Sequence, residues 1–371
     1  MINVLIVDDS AFMRKAIELI LEKDPIFKVV GRARDGVEAV ELVQSLDPDV
    51  VTMDVEMPRM DGISAVREIM KVKPKPILMI SSVTTEGAET TLKAMEAGAV
   101  DFISKPASRV SLDIVRLEDE IRSKIKAVAK RKPYVPRTTL ASRIAAGTPA
   151  GMTGAPRFSG TQTSSVARES GVCVSTPPGR PIRDIVAIGV STGGPPAVQH
   201  VLSCLPADFP VPILIAQHMP AAFTGPFAKR LDNVCKISVK EAESGEKLRP
   251  GVAYISPGGR HIRLHAHLST FTVLVSDDPK EALYKPSANV LHESVGLALG
   301  RRALGVQLTG MGSDGLEGIR VLKQKGGVAL AQSDATCVVY GMPKAIVDAG
   351  LADAIVDLND MAAAFMEHLY R

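Results

Sequence analysis

The chain has 371 residues, 46% of them hydrophobic and 23% charged, and 44 Lys and Arg against 41 Asp and Glu give a net charge of +3. That length exceeds one ordinary hydrophobic core, so two domains are expected, and the composition permits burial throughout. The charge is too small for the dense basic face of a nucleic-acid binder, no apolar run reaches the length of a membrane span, and the four cysteines (Cys173, Cys204, Cys235, Cys337) form neither a C-x-x-C pair nor a metal spacing.

The opening M-I-N-V-L-I-V-D-D lacks a basic flank and a long apolar stretch, so a soluble cytoplasmic protein is expected. Apolar strands are predicted at Asn3–Val7, Lys28–Ala33, Asp49–Met53, Pro76–Ser81 and Ala99–Ile103. Helical patterns lie near residues 11–22, 36–45, 62–71, 86–96 and 111–130. Five βα units imply a parallel sheet covered on both faces, with any site at the carboxyl ends of the strands. Asp8 and Asp9 follow the first strand, Asp54 ends the third, Ser81 ends the fourth and Lys105 follows the fifth. Three carboxylates on one rim repel one another unless a cation sits among them. Oxygen donors with no His or Cys nearby suit Mg²⁺, and a hydroxyl and a lysine beside them suit a phosphoryl group on one carboxylate. Each acid taken singly also reads as a helix N-cap.

From about Tyr134 to Arg183 the chain is rich in Ser, Thr, Gly, Ala and Pro without apolar periodicity, the composition of a flexible linker. Beyond it, Ile185–Val190 runs into Ser191 within I-V-A-I-G-V-S-T-G-G-P-P. Gly189 to Gly193 fit G-x-S-x-G, a pattern that lifts a serine onto a sharp turn. The same letters also fit a helix cap or a phosphate cradle. Pro212–Ala216 leads into Gln217-His218-Met219-Pro220, and Ala303–Leu308 runs into Thr309-Gly310-Met311-Gly312-Ser313-Asp314-Gly315. Carboxyl ends of parallel strands face one crevice, so Ser191, His218 and Asp314 can meet there. An imidazole that takes the serine proton, held by a carboxylate, makes a nucleophile. The surrounding glycines leave backbone N–H groups for an oxyanion, with Thr192 and Met311 the candidates. The other histidines fit less well. His261, His265 and His267 lie in R-H-I-R-L-H-A-H, which looks like a hairpin strand, His200 and His292 sit in helical patterns, and His368 is near the tail. The chain order Ser, His, Asp departs from the α/β-hydrolase order, so the elbow-like letters do not carry that fold.

V-L-I-V-D-D-S, D-V-V-T-M-D-V-E-M-P-R-M-D-G, I-L-M-I-S-S and D-F-I-S-K-P resemble the receiver domain of bacterial response regulators, over residues 2 to about 125. The resemblance implies that Asp54 accepts phosphate from a histidine kinase and that Asp8, Asp9 and Asp54 hold Mg²⁺ with the backbone carbonyl of Glu56. It also implies that Ser81 and Lys105 contact the phosphoryl group and that Phe102 is the aromatic switch. G-V-S-T-G-G-P, I-A-Q-H-M-P, A-Y-I-S-P-G-G-R-H and L-T-G-M-G-S-D-G are similar to the catalytic domain of the CheB family of chemotaxis protein-glutamate methylesterases, from about residue 184 to 371. Together the two resemblances imply a receiver over 1–125, a helix end and linker over 126–183, and a catalytic domain over 184–371. The implied fold is α/β: a flavodoxin-like (βα)5 receiver and a doubly wound, mostly parallel methylesterase domain with a β-hairpin. Ser191 becomes the nucleophile, His218 the general base and Asp314 the orienting acid. The implied substrate is γ-glutamyl methyl esters on methyl-accepting chemotaxis receptors, cleaved with release of methanol, and some members also deamidate receptor glutamines. No cofactor in the catalytic domain, no nucleic-acid partner, no membrane insertion and a monomeric state complete the expectation. Two alternatives stay open: a transcriptional output, for which no helix-turn-helix module is found after residue 130, and a binding or recruitment module with little turnover.

Overall fold

The computed structural model describes residues 1–82, 84–105, 111–129, 174–267 and 270–371. Most of the predicted linker, residues 130–173, lies outside the described residues. The first half alternates β1 (Ile2–Val7), α1 (Ala11–Glu22), β2 (Phe27–Ala33), α2 (Gly36–Leu46), β3 (Val50–Asp54), α3 (Gly62–Val72), β4 (Ile77–Ser82), α4 (Thr85–Ala97), β5 (Asp101–Lys105) and α5 (Ser111–Val128). All pairings are parallel, in the order β2-β1-β3-β4-β5. The continuous apolar run of β1 serves both faces: Leu5 and Val7 enter one core and Val4 and Ile6 the other. Ser10, Asp35, Asp61 and Thr84 cap α1 to α4, each accepting a backbone N–H from the first turn. The fifth strand begins two residues later than its apolar run. Gly98 closes α4 in the left-handed conformation, and the Ala99 N–H returns to the Ala94 carbonyl, so Ala99 belongs to the helix cap.

The second half contains β6 (Ile185–Val190), α6 (Gly194–Ser203), β7 (Ile213–Gln217), α7 (Ala221–Val234), β8 (Ser238–Glu241), β9 (Val252–Ile255), β10 (His261–His267), β11 (Thr270–Ser276), α8 (Ala288–Leu299), β12 (Ala303–Gln307), α9 (Leu316–Gln324), β13 (Val328–Gln332), α10 (Met342–Asp348), β14 (Ala354–Val356) and α11 (Met361–Tyr370). Seven strands form a parallel sheet in the order β14-β13-β12-β6-β7-β9-β8, while β10 and β11 pair separately as an antiparallel hairpin. From β6 the chain goes to β7 on one side, and β12 later pairs on the other. That reversal of strand order opens a crevice at the carboxyl end of β6, where such sheets bind ligands.

The two halves touch. Helix α4 packs on α6 and α7, the Phe102 ring of β5 stacks on Phe223 of α7 at 4.4 Å, and Glu96 pairs with Arg230. Val339 joins the apolar cluster that holds Ile80 and Ile103, with Val338 and Met311 packed against it. Leu92, Met95, Pro195, Pro196, His200 and Arg230 line a cavity of about 250 Å³ at the junction.

One core histidine makes the second sheet acid-sensitive. His292 of α8 is fully buried, and its ring and the Gln307 side chain fill the space that a Cβ on Gly189 would need. Burial drives its pKa down to about 4, against an opposing pull from Asp314. A histidine held neutral contributes stability above its unfolded pKa of about 6.5 and loses it as pH falls toward the folded value. We expect the seven-stranded sheet to lose roughly 3 kcal/mol between about pH 6.5 and pH 4 from this group. Calorimetric melts across that range should show the loss, and His292→Phe should flatten it.

Candidate active site

The three strands flanking the crevice each end in one of the chemistry-bearing residues. Ser191 follows β6, His218 follows β7, and Asp314 lies in the loop after β12. The Ser191 N–H donates to the Thr309 carbonyl (3.0 Å) and the His218 N–H to the Val190 carbonyl (3.0 Å), so backbone bonds tie the three strand ends together. The Ser191 hydroxyl lies 3.1 Å from His218 Nδ1, and His218 Nε2 lies 2.8 Å from Asp314 Oδ2. A carboxylate only accepts, so Nε2 carries the proton and Nδ1 is left free to take the one from serine. The two ring nitrogens exchange the parts they play in the serine-protease triad, and the proton balance is the same. His218 and Asp314 have side chains only 11% and 5% exposed, which strengthens their bond.

Asp314 sits against the N-terminus of α8. Its oxygens accept the Ser287 hydroxyl (2.8 Å) and the N–H groups of Ala288 (2.6 Å) and Asn289 (3.1 Å). Burial pushes the carboxyl up, but His218 and these N–H donors outweigh it and hold it below the usual carboxylate range. Sequence reading missed this support, although Pro286-Ser287 before an apolar helical run is a start signal. It also missed three buried glutamines that end β7, β12 and β13. Gln217 donates to the carbonyls of Ser191 and His218 (both 3.1 Å), Gln307 to Gly189 (3.1 Å), and Gln332 accepts the Thr309 N–H (2.8 Å). Tyr284 stacks on the His218 ring at 4.4 Å.

Both oxyanion candidates border Ser191. The Thr192 carbonyl is fixed by the Thr309 hydroxyl (2.9 Å), and neither Thr192 nor Met311 donates its backbone N–H to the backbone of another described residue. Gly310 brings the Met311 loop close to the serine: a Cβ there would fall 2.8 Å from Ser191 Cβ and 2.3 Å from Met342 Sδ.

On the first sheet, oxygens of Asp8, Asp9 and Asp54 lie within 4.8 Å of one another. Asp8 and Asp54 are buried and Asp9 is exposed. Lys105 Nζ reaches Asp54 Oδ1 at 2.9 Å and Asp8 Oδ2 at 3.3 Å. Burial raises the Asp54 carboxyl above its ordinary range, with Asp8 adding repulsion and Lys105 opposing. Three hard oxygen donors so placed fit a divalent cation such as Mg²⁺. Glu56, two residues beyond Asp54, has an exposed side chain. Ser81, one residue past the partner of Asp54 on β4, turns its hydroxyl onto α4. Its hydroxyl donates to the Gly87 carbonyl (3.2 Å) and accepts from Thr91 (2.6 Å), both on α4. Phe102 is buried, with Lys124 Nζ 5.5 Å from its ring centre.

Known proteins match both halves. Residues 4–115 match the response regulator receiver domain, and residues 186–365 match the CheB methylesterase domain. A protein-glutamate methylesterase/protein-glutamine glutaminase 1 of Oleidesulfovibrio alaskensis is 63% identical over 371 residues, all of both chains. A counterpart numbered 2 in Nitratidesulfovibrio vulgaris is 62% identical over the same span. The crystal structure of the Thermotoga maritima CheB methylesterase catalytic domain aligns at 37% identity and a TM-score of 0.49, covering 50% of this chain and 98% of that one. The two family matches and the full-length relatives define a response regulator with a hydrolase output. The chain belongs to the CheB methylesterase family.

The close approach at Gly310 is open to direct test. Gly310→Ala should displace Ser191 or the Met311 loop, because overpacking a tight contact forces a shift that costs about 1–3 kcal/mol. Turnover should fall at least about 100-fold, the scale of losing one oxyanion donor, while circular dichroism still reports a folded protein.

Proposed function

We propose that the chain is a phosphorylation-regulated methylesterase that hydrolyses γ-glutamyl methyl esters on chemoreceptors in the cytoplasm. Ser191, His218 and Asp314 act as its triad. The observation that carries the reading is the hydrogen-bonded run from Ser191 through His218 to Asp314 at the switch point of the parallel sheet. In the first half-reaction the Ser191 oxygen attacks the ester carbonyl and its proton passes to His218 Nδ1. The N–H groups of Thr192 and Met311 hold the oxyanion. Collapse breaks the bond to methoxide, which takes the Nδ1 proton and leaves as methanol. A water then gives a proton to Nδ1 as its oxygen attacks the acyl-serine, and collapse returns that proton to the Ser191 oxygen and frees the glutamate. The same steps with an amide release ammonia, in keeping with the glutaminase half of the relatives' names.

Residues 1–125 form the regulatory receiver, 126–183 the connection and 184–371 the catalytic domain. Asp54 accepts phosphate from a histidine kinase. Asp8, Asp9 and Asp54, with the Glu56 carbonyl, would hold Mg²⁺, which would supply positive charge for the arriving phosphoryl group. Lys105 neutralises the incoming group. In the unphosphorylated chain the receiver acts as a lid. Support for this comes from its contacts with the Met311 loop, with α6 directly after Ser191, and with α7 directly after His218. Drawing Ser81 off α4 toward a phosphoryl group would loosen the same helix that packs on α6 and α7.

Two results are expected. Ser191→Ala and His218→Ala should each remove nearly all release of methanol from methylated receptor, and the double variant should be no worse, since the pair acts as a unit. Unimpaired release by Ser191→Ala would end the triad reading. Glu96→Arg should place like charges at the lid and raise unphosphorylated activity several-fold, and adding Arg230→Glu should return it toward the starting level.

A further inference from the structure

We propose that Tyr284 is a positioning residue for this hydrolysis, holding the His218 ring in the plane that serves Ser191 and Asp314 together. The inference rests on the triad proposed above. Bonds at Nδ1 (3.1 Å) and Nε2 (2.8 Å) hold two edges of the imidazole, but its soft χ1 and χ2 torsions still let the ring rock out of that plane. A contact on the face of the ring opposes that motion. Tyr284 supplies one, with ring centres 4.4 Å apart and planes within 14°.

The backbone that carries the phenol is held on its carboxyl-terminal side. Its neighbour Lys285 accepts the Gly259 N–H at 3.0 Å, and the Ser287 N–H donates to His261 Nδ1 at 3.3 Å. His261 is fully buried, and its Nε2–H donates to the Pro279 carbonyl at 3.2 Å. Burial lowers the pKa of His261, which keeps that ring neutral and able to accept. At its far end the Tyr284 hydroxyl lies over Gly312, where an added Cβ would meet it at 3.7 Å. The ring therefore spans from the base to the loop that carries Met311 and Asp314. Burial, with Asp314 nearby, raises the phenol pKa, so it stays uncharged. Its π face also favours the positive charge that His218 gains on taking the serine proton.

Full-length Tyr284→Phe, Tyr284→Leu and Tyr284→His should be compared with the original protein and with Ser191→Ala. The readouts are kcat and KM on methylated receptor membranes and the rate at which phenylmethanesulfonyl fluoride modifies Ser191. Phe and His keep a flat ring and should stay within about threefold, whereas Leu should lose about tenfold in kcat and equally in sulfonylation, with KM within about twofold. A normal kcat for Leu would overturn the proposal. So would a loss confined to KM, which would make Tyr284 a substrate contact, or an equal loss in Phe, which would shift the role to the hydroxyl. If Leu misfolds by its melting temperature, Tyr284→Met, flexible and without a flat ring, takes its place and must show the same loss. Normal activity or labelling in Ser191→Ala would instead sink the triad reading itself.

Discussion

The carboxylate of Asp314, held at the N-terminus of α8, is the fixed point of the catalytic half. A buried charge is costly unless it is paired and hydrogen-bonded. Here two backbone N–H groups, a serine hydroxyl and an imidazole share it. The helix end supplies donors that no intrahelical acceptor can use, together with a favourable dipole. The position of His218 follows from that of Asp314, and the direction of the Ser191 hydroxyl follows from His218. The order of dependence runs opposite to the order of the chain.

Regulation and catalysis meet through packing. Lys105 binds Asp54 and Asp8 at the end of β5, and three residues earlier on that strand Phe102 stacks on Phe223. Helix α7, which carries Phe223, begins three residues after His218. A change at the acidic rim therefore has a short physical route to His218. Along it lie an ion pair, one β-strand, two stacked rings and the first turn of a helix.

Much of this was readable in the sequence wherever a strand's apolar run stops at a polar residue. Val7 gives way to Asp8, Met53 to Asp54 and Val190 to Ser191, and the parallel topology then requires those ends to share an edge. The boundaries of β5 were misread because Ala99 is apolar yet completes a helix cap. Ser81 was placed by its strand, but its hydroxyl rotates onto α4, a choice set by Thr91 ten residues on. Gln217 and Tyr284 left no mark, since their roles exist only once separate loops converge. His261 was read as a hairpin residue, and it does start β10. Its first position on that strand, though, is buried and pins the segment bearing Tyr284.

The three glutamines that close β7, β12 and β13 give the active site an electrically silent floor. A carboxamide has no proton to gain or lose across the working range and no net charge for salt to screen. Had the same loops been braced by ion pairs, their spacing would drift with buffer composition, and the distance between Ser191 and His218 would drift with it. Amide braces add no charge of their own to that floor, so the spacing they set does not follow the salt content of the solution.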